Sequence, residues 1–217
     1  MTENNREFFL SSSNFDVLAS RQFIKRAEDE RIVGKVEKVI LGIDPGLNNT
    51  GYGVLDVSSG RAKLLEAGVV RSSGKTLAAR IKDIYDGVVE VIETHHPDVL
   101  ALEQLYSLYK RPQTAILMGH ARGAICLAAE QSGIEVVSYA ATKIKKTMTG
   151  AGRAPKDQIQ RAVQLELRLP CLPEPPDVAD AIAIAFCHFT EARQTQRFGS
   201  VLKPPTQARS KKRKDQT

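Results

Sequence analysis

The segment VADAIAIAF, residues 178–186, is apolar at every position except Asp180. Together with Asp177, it predicts a helix from Asp177 to about Glu191 that is apolar on all sides and therefore buried. Unpaired carboxylates are costly in such a place. Because Asp177 and Asp180 are spaced i, i+3 and share one helix face, the fold must compensate for two negative charges at one point.

Two further acidic residues stand at the ends of apolar runs. Asp44 follows the run VILGI (39–43) and Glu103 follows VLAL (99–102), both typical of buried strands. Each acid also has an ordinary structural explanation: Asp44 could open a turn, Glu103 could form an ion pair, and Asp177 could cap a helix. Together, however, converging carboxylates without Cys or His are the ligand set that suits Mg²⁺ or Mn²⁺.

The remaining elements predict an α/β fold. Strands over 39–43, 52–57 and 62–70 are joined by short turns and should form an antiparallel meander. An amphipathic helix over 77–92, a strand over 99–102, a helix over 115–131 and a strand over 134–139 follow, and then helical stretches lead to the final helix. This order predicts a mixed five-stranded sheet, three strands antiparallel and the others parallel, with helices on both faces.

The charge of the chain is unevenly distributed. The 217 residues carry a net charge of +6, but eight basic residues and one acidic residue lie from Arg193 onward. We therefore predict an N-terminal extension over 1–36, partly disordered or helical, a folded domain over 37–192, and a basic disordered tail over 193–217. Residues 143–168 hold seven basic and two acidic residues, a pattern that fits either a polyanion-binding surface or a solvated helical face.

Membrane and disulfide-based classes are not expected. No run of about 18 apolar residues occurs, and the apolar stretch at residues 8–10 is too short for a signal peptide. Cys126, Cys171 and Cys187 are far apart and include no C-x-x-C pair. We therefore expect a cytoplasmic protein with no membrane partner.

The motifs resemble those of the RuvC family of Holliday-junction resolvases. Residues 43–53 (IDPGLNNTGYG) resemble its opening motif, residues 101–104 (ALEQ) its second and residues 177–185 (DVADAIAIA) its last; 119–123 and 150–156 are similar to further family segments. The resemblance spans roughly residues 38–190. It implies an RNase H-like fold and a homodimeric, Mg²⁺-dependent endonuclease that nicks opposed strands of a four-way DNA junction during homologous recombination and repair.

The resemblance also implies the roles of individual residues. Four acids match the family's metal-binding set: Asp44, Glu103, Asp177 and Asp180. Lys145 and Lys156 match basic positions near the cut phosphate, and we assign Lys156 to catalysis. Tyr106 falls where the family often has a Phe near the junction centre. From the basic segment at residues 143–168 we add Lys146 and Arg153 as DNA contacts.

The mechanism predicted on this basis is hydrolysis without a covalent intermediate, assisted by two Mg²⁺ ions per site with Mn²⁺ as a substitute. His188 lies two turns beyond Asp180 and is a candidate to orient the metal-binding acids without itself binding the metal. The Ala- and Gly-rich helix around 117–129 is the expected dimer surface. By resemblance, a branch-migration motor of the RuvA and RuvB type is an expected partner.

Other functions stay open at this stage. An RNase H-like nuclease could act on another branched or RNA-containing substrate. An actin-like ATPase also pairs an Asp with glycines after a strand, although this chain is short for its two lobes and lacks a second phosphate loop. A junction-binding protein without activity would leave the buried acids without a use.

Overall fold

The computed structural model describes residues 37–105 and 112–201. The predicted extension over 1–36, Tyr106 and the end of the basic tail lie outside the described residues. The elements are β1 (Val39–Asp44), β2 (Asn49–Asp56), β3 (Lys63–Arg71), α1 (Leu77–His95), β4 (Val99–Glu103), α2 (Pro112–Gln131), β5 (Glu135–Tyr139), α3 (Ala141–Thr149), α4 (Lys156–Glu166) and α5 (Pro176–Val201).

The strands form one sheet in the order β3-β2-β1-β4-β5. β1 pairs antiparallel with β2, and β2 with β3. β4 runs parallel to β1 on one side and to β5 on the other. The predicted mixed five-stranded sheet is therefore confirmed.

Helices cover both faces of this sheet, as predicted. Side chains that alternate along β1 and β4 divide between two cores. Leu41, Ile43 and Leu102 pack with α1 and α2, whereas Ile40 and Ala101 pack with α3, α4 and α5. Among the described residues, none of the helices combines the length and the apolarity that crossing a bilayer requires.

The helix α5 lies unusually close to the sheet because small residues face each other. A Cβ atom added at Gly42 would come 2.2 Å from the carbonyl oxygen of Ala181, and one added at Gly51 would come 2.1 Å from that of Asp177. Both contacts are to helix backbone, so neither glycine can gain a side chain without moving the helix. The glycines thus set the distance at which the aspartates of α5 meet the sheet.

Three predicted boundaries are wrong, the first being that of α2, which begins at Pro112 and not at residue 115. β2 begins at Asn49, three residues early, because Asn49 pairs with Arg71 of β3. The final helix continues to Val201 rather than ending near Glu191. No proline follows before Pro204, so helix formation continues where the charge pattern indicated a tail, and the predicted boundary at 192/193 falls inside α5.

Candidate active site

Two of the four predicted acids are placed by neighbouring parallel strands. Ile43 of β1 pairs with Leu102 of β4, so the next residues, Asp44 and Glu103, come side by side at the carboxyl edge of the sheet. Because Ile43 and Leu102 face α1 and α2, strand alternation turns Asp44 and Glu103 to the opposite face. That is the face on which α5 packs.

The first turns of α5 bring the other two acids to the same place. One carboxylate oxygen from each of Asp44, Asp177 and Asp180 lies within 4.8 Å of the other two, a grouping that could hold a metal ion. Glu103 is not part of this tight group, but it lines the same cleft of about 360 Å³ together with the three aspartates. The structure thus brings all four predicted acids to one cleft.

The electrostatics of the cleft show that the protein alone compensates for these charges only in part. Burial, followed by the charges of Glu103, Asp180 and Asp177, raises the pKa of Asp44 from 3.8 to about 8. Burial and then the charge of Asp180 raise the pKa of Glu103. A bound cation would remove this penalty, because an opposite charge favours the ionised carboxylate.

Lys156, the first residue of α4, supplies one positive charge at this cleft. Its Nζ lies 3.2 Å from Asp180 Oδ2 and 3.5 Å from Asp177 Oδ1. Burial acts to lower the pKa of Lys156, but the carboxylates of Asp180, Asp177 and Asp44 outweigh it and the net shift is upward. The side chain is 60% exposed, so its ammonium group stands at the rim of the cleft, where a ligand could reach it.

Of the other three predicted basic residues, only one lines the cleft. Lys145 lines the cleft, and its charge acts to lower the pKa of Glu103. Lys146 and Arg153 are exposed and are not among the residues that line the cleft in the described part of the chain. Lys146 follows Lys145 in α3, and Arg153 lies in the segment between α3 and α4.

The prediction that His188 supports the metal-binding acids is wrong. His188 is buried, and its Nδ1 lies 2.7 Å from the hydroxyl of Tyr139 while its Nε2 lies 2.8 Å from Glu37 Oε2. Both ring nitrogens are thus engaged elsewhere. Helical spacing placed His188 on the correct helix, but it could not show that α5 packs this turn against β5.

Sequence reasoning gave no role to two residues whose side chains hydrogen-bond to the backbone at or near the predicted acids. Thr50 is fully buried, and its hydroxyl donates to the carbonyl of Gly46 at 2.8 Å, which ties the loop after Asp44. Arg122 of α2 donates to the carbonyl of Glu103 and, at 2.6 Å, to Ser138 Oγ. Both lie in segments with family resemblance, and that resemblance was the only signal that could have drawn attention to them.

Comparison with known proteins decides the family. The model of the family described as crossover junction endodeoxyribonuclease RuvC matches residues 40–188. The chain belongs to the RuvC family. RuvC of Rhodopirellula baltica is 57% identical over 149 residues, which are 68% of this chain and 84% of that protein.

Solved RuvC structures agree with the fold. The Thermus thermophilus RuvC structure has a TM-score of 0.66 and 34% sequence identity, over 72% of this chain and 96% of that one. T. thermophilus RuvC in complex with a Holliday junction substrate has a TM-score of 0.64 and 32% identity, over 72% and 95% of the two chains. The five-stranded sheet is thus that of RuvC, and the prediction of an RNase H-like fold is confirmed.

Proposed function

We infer that this chain is a crossover junction endodeoxyribonuclease, an enzyme that resolves four-way (Holliday) junctions by hydrolysis of phosphodiester bonds during homologous recombination and repair. Its membership of the RuvC family supports this activity. The observation that carries it to particular residues is the meeting of Asp44, Asp177 and Asp180 within 4.8 Å at the edge of the sheet.

We propose Mg²⁺ as the cofactor, with two ions per site and Mn²⁺ as a substitute. The donor set fits, because Asp44, Glu103, Asp177 and Asp180 offer only hard carboxylate oxygens. Asp44 with Asp177 and Asp180 would hold one ion, and Asp44 with Glu103 the other. When bound, the ions supply an activated water and stabilise the leaving oxygen.

The chain's own groups then position the DNA and offset charge. Lys156 would contact the phosphate that is cut, since its ammonium group is both exposed and beside the carboxylates. A cation held there stabilises negative charge as it develops on the phosphate. Lys145, on the same cleft, would add a second contact of this kind.

The surface beside the cleft suits the junction arms. Lys146 and Arg153 are exposed and would bind backbone phosphates, which makes affinity fall with added salt. Tyr106, which follows β4 in sequence, would stack on a base near the junction centre.

A homodimer would explain two symmetric nicks. The outward face of α2 carries Ile116, 61% exposed, and Leu127, 52% exposed, with Gly123 between them facing open space. Small and apolar residues at this spacing permit close helix packing. We propose this face, within the predicted range 117–129 and one residue before it, as the contact with a second copy.

The remaining assignments complete the proposal. We propose an extension over 1–36, a nuclease domain from 37 that includes α5 to Val201, and a basic tail after it. We also propose a branch-migration motor of the RuvA and RuvB type as partner. A cytoplasmic location is in keeping with Cys126, Cys171 and Cys187, which form no disulfide.

A synthetic mobile four-way junction tests the function directly. We expect paired nicks on opposed strands with Mg²⁺, and binding without cleavage with Ca²⁺. Flaps and RNA–DNA hybrids of the same sequence serve as competitors. Faster cleavage of a flap or hybrid than of the junction would assign the activity to another branched or RNA-containing substrate.

A further inference from the structure

The main chain at Glu103 is held from two sides. The ladder between β1 and β4 ends at the pair Ile43–Leu102, one residue before Glu103. On the side of β5, Gln104 N donates to the carbonyl of Tyr139 at 2.8 Å. The carbonyl of Glu103 itself accepts a hydrogen bond from Arg122 Nη1.

Arg122 reaches this carbonyl from the face of the sheet opposite to the acidic cleft. It belongs to α2, which packs on the same face as Leu102, and its second amino group donates to Ser138 Oγ at 2.6 Å. Ser138 pairs with Leu102, so its side chain points to that face as well. One guanidinium therefore joins α2 to the ends of β4 and β5.

The geometry points to Arg122 as a positioning residue for Glu103: we propose that it fixes the peptide from which the Glu103 carboxylate projects toward Asp44 and the metal ions. This inference rests on the proposed metal-dependent nuclease function. A charged donor makes a stronger and more directional bond to a carbonyl than a neutral one. The planar fork of arginine allows both acceptors to be held at once.

The position of Glu103 in the cleft explains why the hydrogen bond from Arg122 to its carbonyl is important. Asp44, Asp177 and Asp180 form a tight group, but Glu103 lies outside it and is the last residue of its strand. Its carboxylate must be held against repulsion from Asp44 and Asp180. The outward face of α2 is also the proposed dimer contact, so Arg122 joins that helix to one metal-binding acid.

The first test measures Mn²⁺ binding by calorimetry without DNA, so that no activity is involved. We expect Arg122→Gln to weaken the Mn²⁺ site that uses Glu103 by about 10–100-fold, as loss of a group that orients a metal ligand commonly does. Arg122→Lys, which keeps the charge and one donor, should recover part of the loss. Mn²⁺ affinity equal to wild type in Arg122→Gln would overturn the proposal.

The second test is a double-mutant cycle with Glu103→Gln, measured as the single-turnover rate of junction cleavage in Mg²⁺. If Arg122 acts through Glu103, adding Arg122→Gln to Glu103→Gln should cost little further rate. If Arg122 had only a general structural role, Arg122→Gln would lower the rate by the same factor in the wild-type protein and in Glu103→Gln, and that result would overturn the proposal. Arg61→Gln, in the exposed turn before β3 and at the other end of the sheet, is the matched control for loss of a positive charge.

Folding and binding controls keep the test decisive. Junction binding in Ca²⁺ should stay within about twofold of wild type, because substitution of a residue that acts through a metal ligand leaves uniform binding intact. If Arg122→Gln does not fold, Arg122→Lys and Ser138→Ala carry the test, with smaller losses of Mn²⁺ affinity expected in the same direction. Wild-type affinity in both would overturn the proposal, whereas failure of the wild-type protein to cleave any junction would refute the proposed function instead.

Discussion

In the described part of the chain, two clefts are each lined by four carboxylates, and they differ in the groups that lie next to these carboxylates. The β3–α1 groove, of about 670 Å³, is larger than the acidic cleft of about 360 Å³. It is lined by residues that include Tyr52, Glu66, Asp83, Asp86, Gly87, Glu90 and His95. Neither volume nor the number of acids therefore distinguishes the candidate active site.

Three of the four acids of the β3–α1 groove, Glu66, Asp83 and Asp86, have partners within the protein. Glu66 accepts a hydrogen bond from the Tyr52 hydroxyl at 2.6 Å, which is the main reason that its pKa is lowered, and it pairs with His95 at 3.0 Å. Asp83 accepts hydrogen bonds from two backbone amides, and Asp86 forms an ion pair with Lys82.

Two acids of the cleft, Asp44 and Glu103, show the opposite behaviour, whereas Asp177 and Asp180 share the ammonium group of Lys156. The pKa values of Asp44 and Glu103 are raised, first by burial and then by neighbouring carboxylates. The comparison teaches that carboxylates which the protein leaves uncompensated mark the place for a cation, whereas equally acidic surfaces with internal partners do not.

The largest effect expected from this comparison is on cleavage. Asp44→Asn should lower the single-turnover rate by at least about 1,000-fold, because loss of a shared ligand removes several kcal/mol of metal-derived stabilisation of the transition state. Asp86→Asn, the matched change in the β3–α1 groove, should leave the rate within about twofold, as surface changes usually do. Nicking by Asp44→Asn at the wild-type rate would contradict the assignment of Asp44.

A second comparison uses Gly51, which packs against Asp177 of the acidic cleft, and Gly87, which lines the β3–α1 groove. Gly51→Ala would place a methyl group 2.1 Å from the backbone oxygen of Asp177, whereas Gly87→Ala meets Val70 Cγ1 at 2.4 Å. A helix backbone cannot give way as a side chain can, so we expect Gly51→Ala to lower the free energy of unfolding by roughly 1–3 kcal/mol or more. At Gly87, the gain in helix propensity of about 1 kcal/mol offsets part of the clash.

Urea unfolding measures both changes, and junction cleavage provides the second readout. Gly51→Ala should also lose activity because Asp177 moves, whereas Gly87→Ala should retain it. Equal loss of stability in the two variants would show that α5 can shift away from the sheet at little cost.

A third comparison concerns Mg²⁺ and thermal stability. At about 100 times its dissociation constant, an ion that binds only the folded protein adds about 2.7 kcal/mol, which corresponds to roughly 5–10 °C in Tm for a domain of this size. Asp180→Asn should remove most of this increase, and Glu66→Gln should retain it. If the Mg²⁺-dependent rise in Tm were kept by Asp180→Asn but lost in Glu66→Gln, the ion would bind in the β3–α1 groove and not in the acidic cleft.

The smallest effect is on the pH dependence of stability in EDTA. The pKa of Asp44 is about 8 in the folded chain, and we take its ordinary value of 3.8 for the unfolded chain. The folded protein therefore binds more protons than the unfolded chain between these values, and its stability falls as pH rises toward 8. Asp44→Asn should accordingly raise Tm by a few degrees at pH 8 and change it little below pH 4.

Glu66 should behave with the opposite sign. Its pKa is lowered from 4.5, so its contribution is present above the unfolded value and is lost as pH falls through the folded value. Glu66→Gln should therefore lower Tm slightly at pH 7 and converge with wild type in acid. The same sign of effect for Asp44→Asn and Glu66→Gln would contradict the contrast between the two clefts.

Much of the fold could be predicted from local patterns. The strands at 39–43 and 99–102 were located to within a residue, since each is a short apolar run that ends at an acid. The end of α5 was missed, because charge density does not stop a helix and no proline occurs before Pro204. The partners of His188 were missed because Glu37 and Tyr139 lie 151 and 49 residues away in the chain.

By itself, the sequence determined the order of strands and helices, the buried character of α5 and the identity of four acids that need compensation. These properties depend on side-chain polarity and periodicity, which are local. Only the tertiary structure decided that Asp44 forms a tight group with Asp177 and Asp180. It also decided that Glu103 lies outside this group and that its backbone carbonyl accepts a hydrogen bond from Arg122. Those distances depend on how closely α5 can approach Gly42 and Gly51. Such an approach joins segments that are distant in the sequence, so the local periodicity of polar and apolar residues does not reveal it.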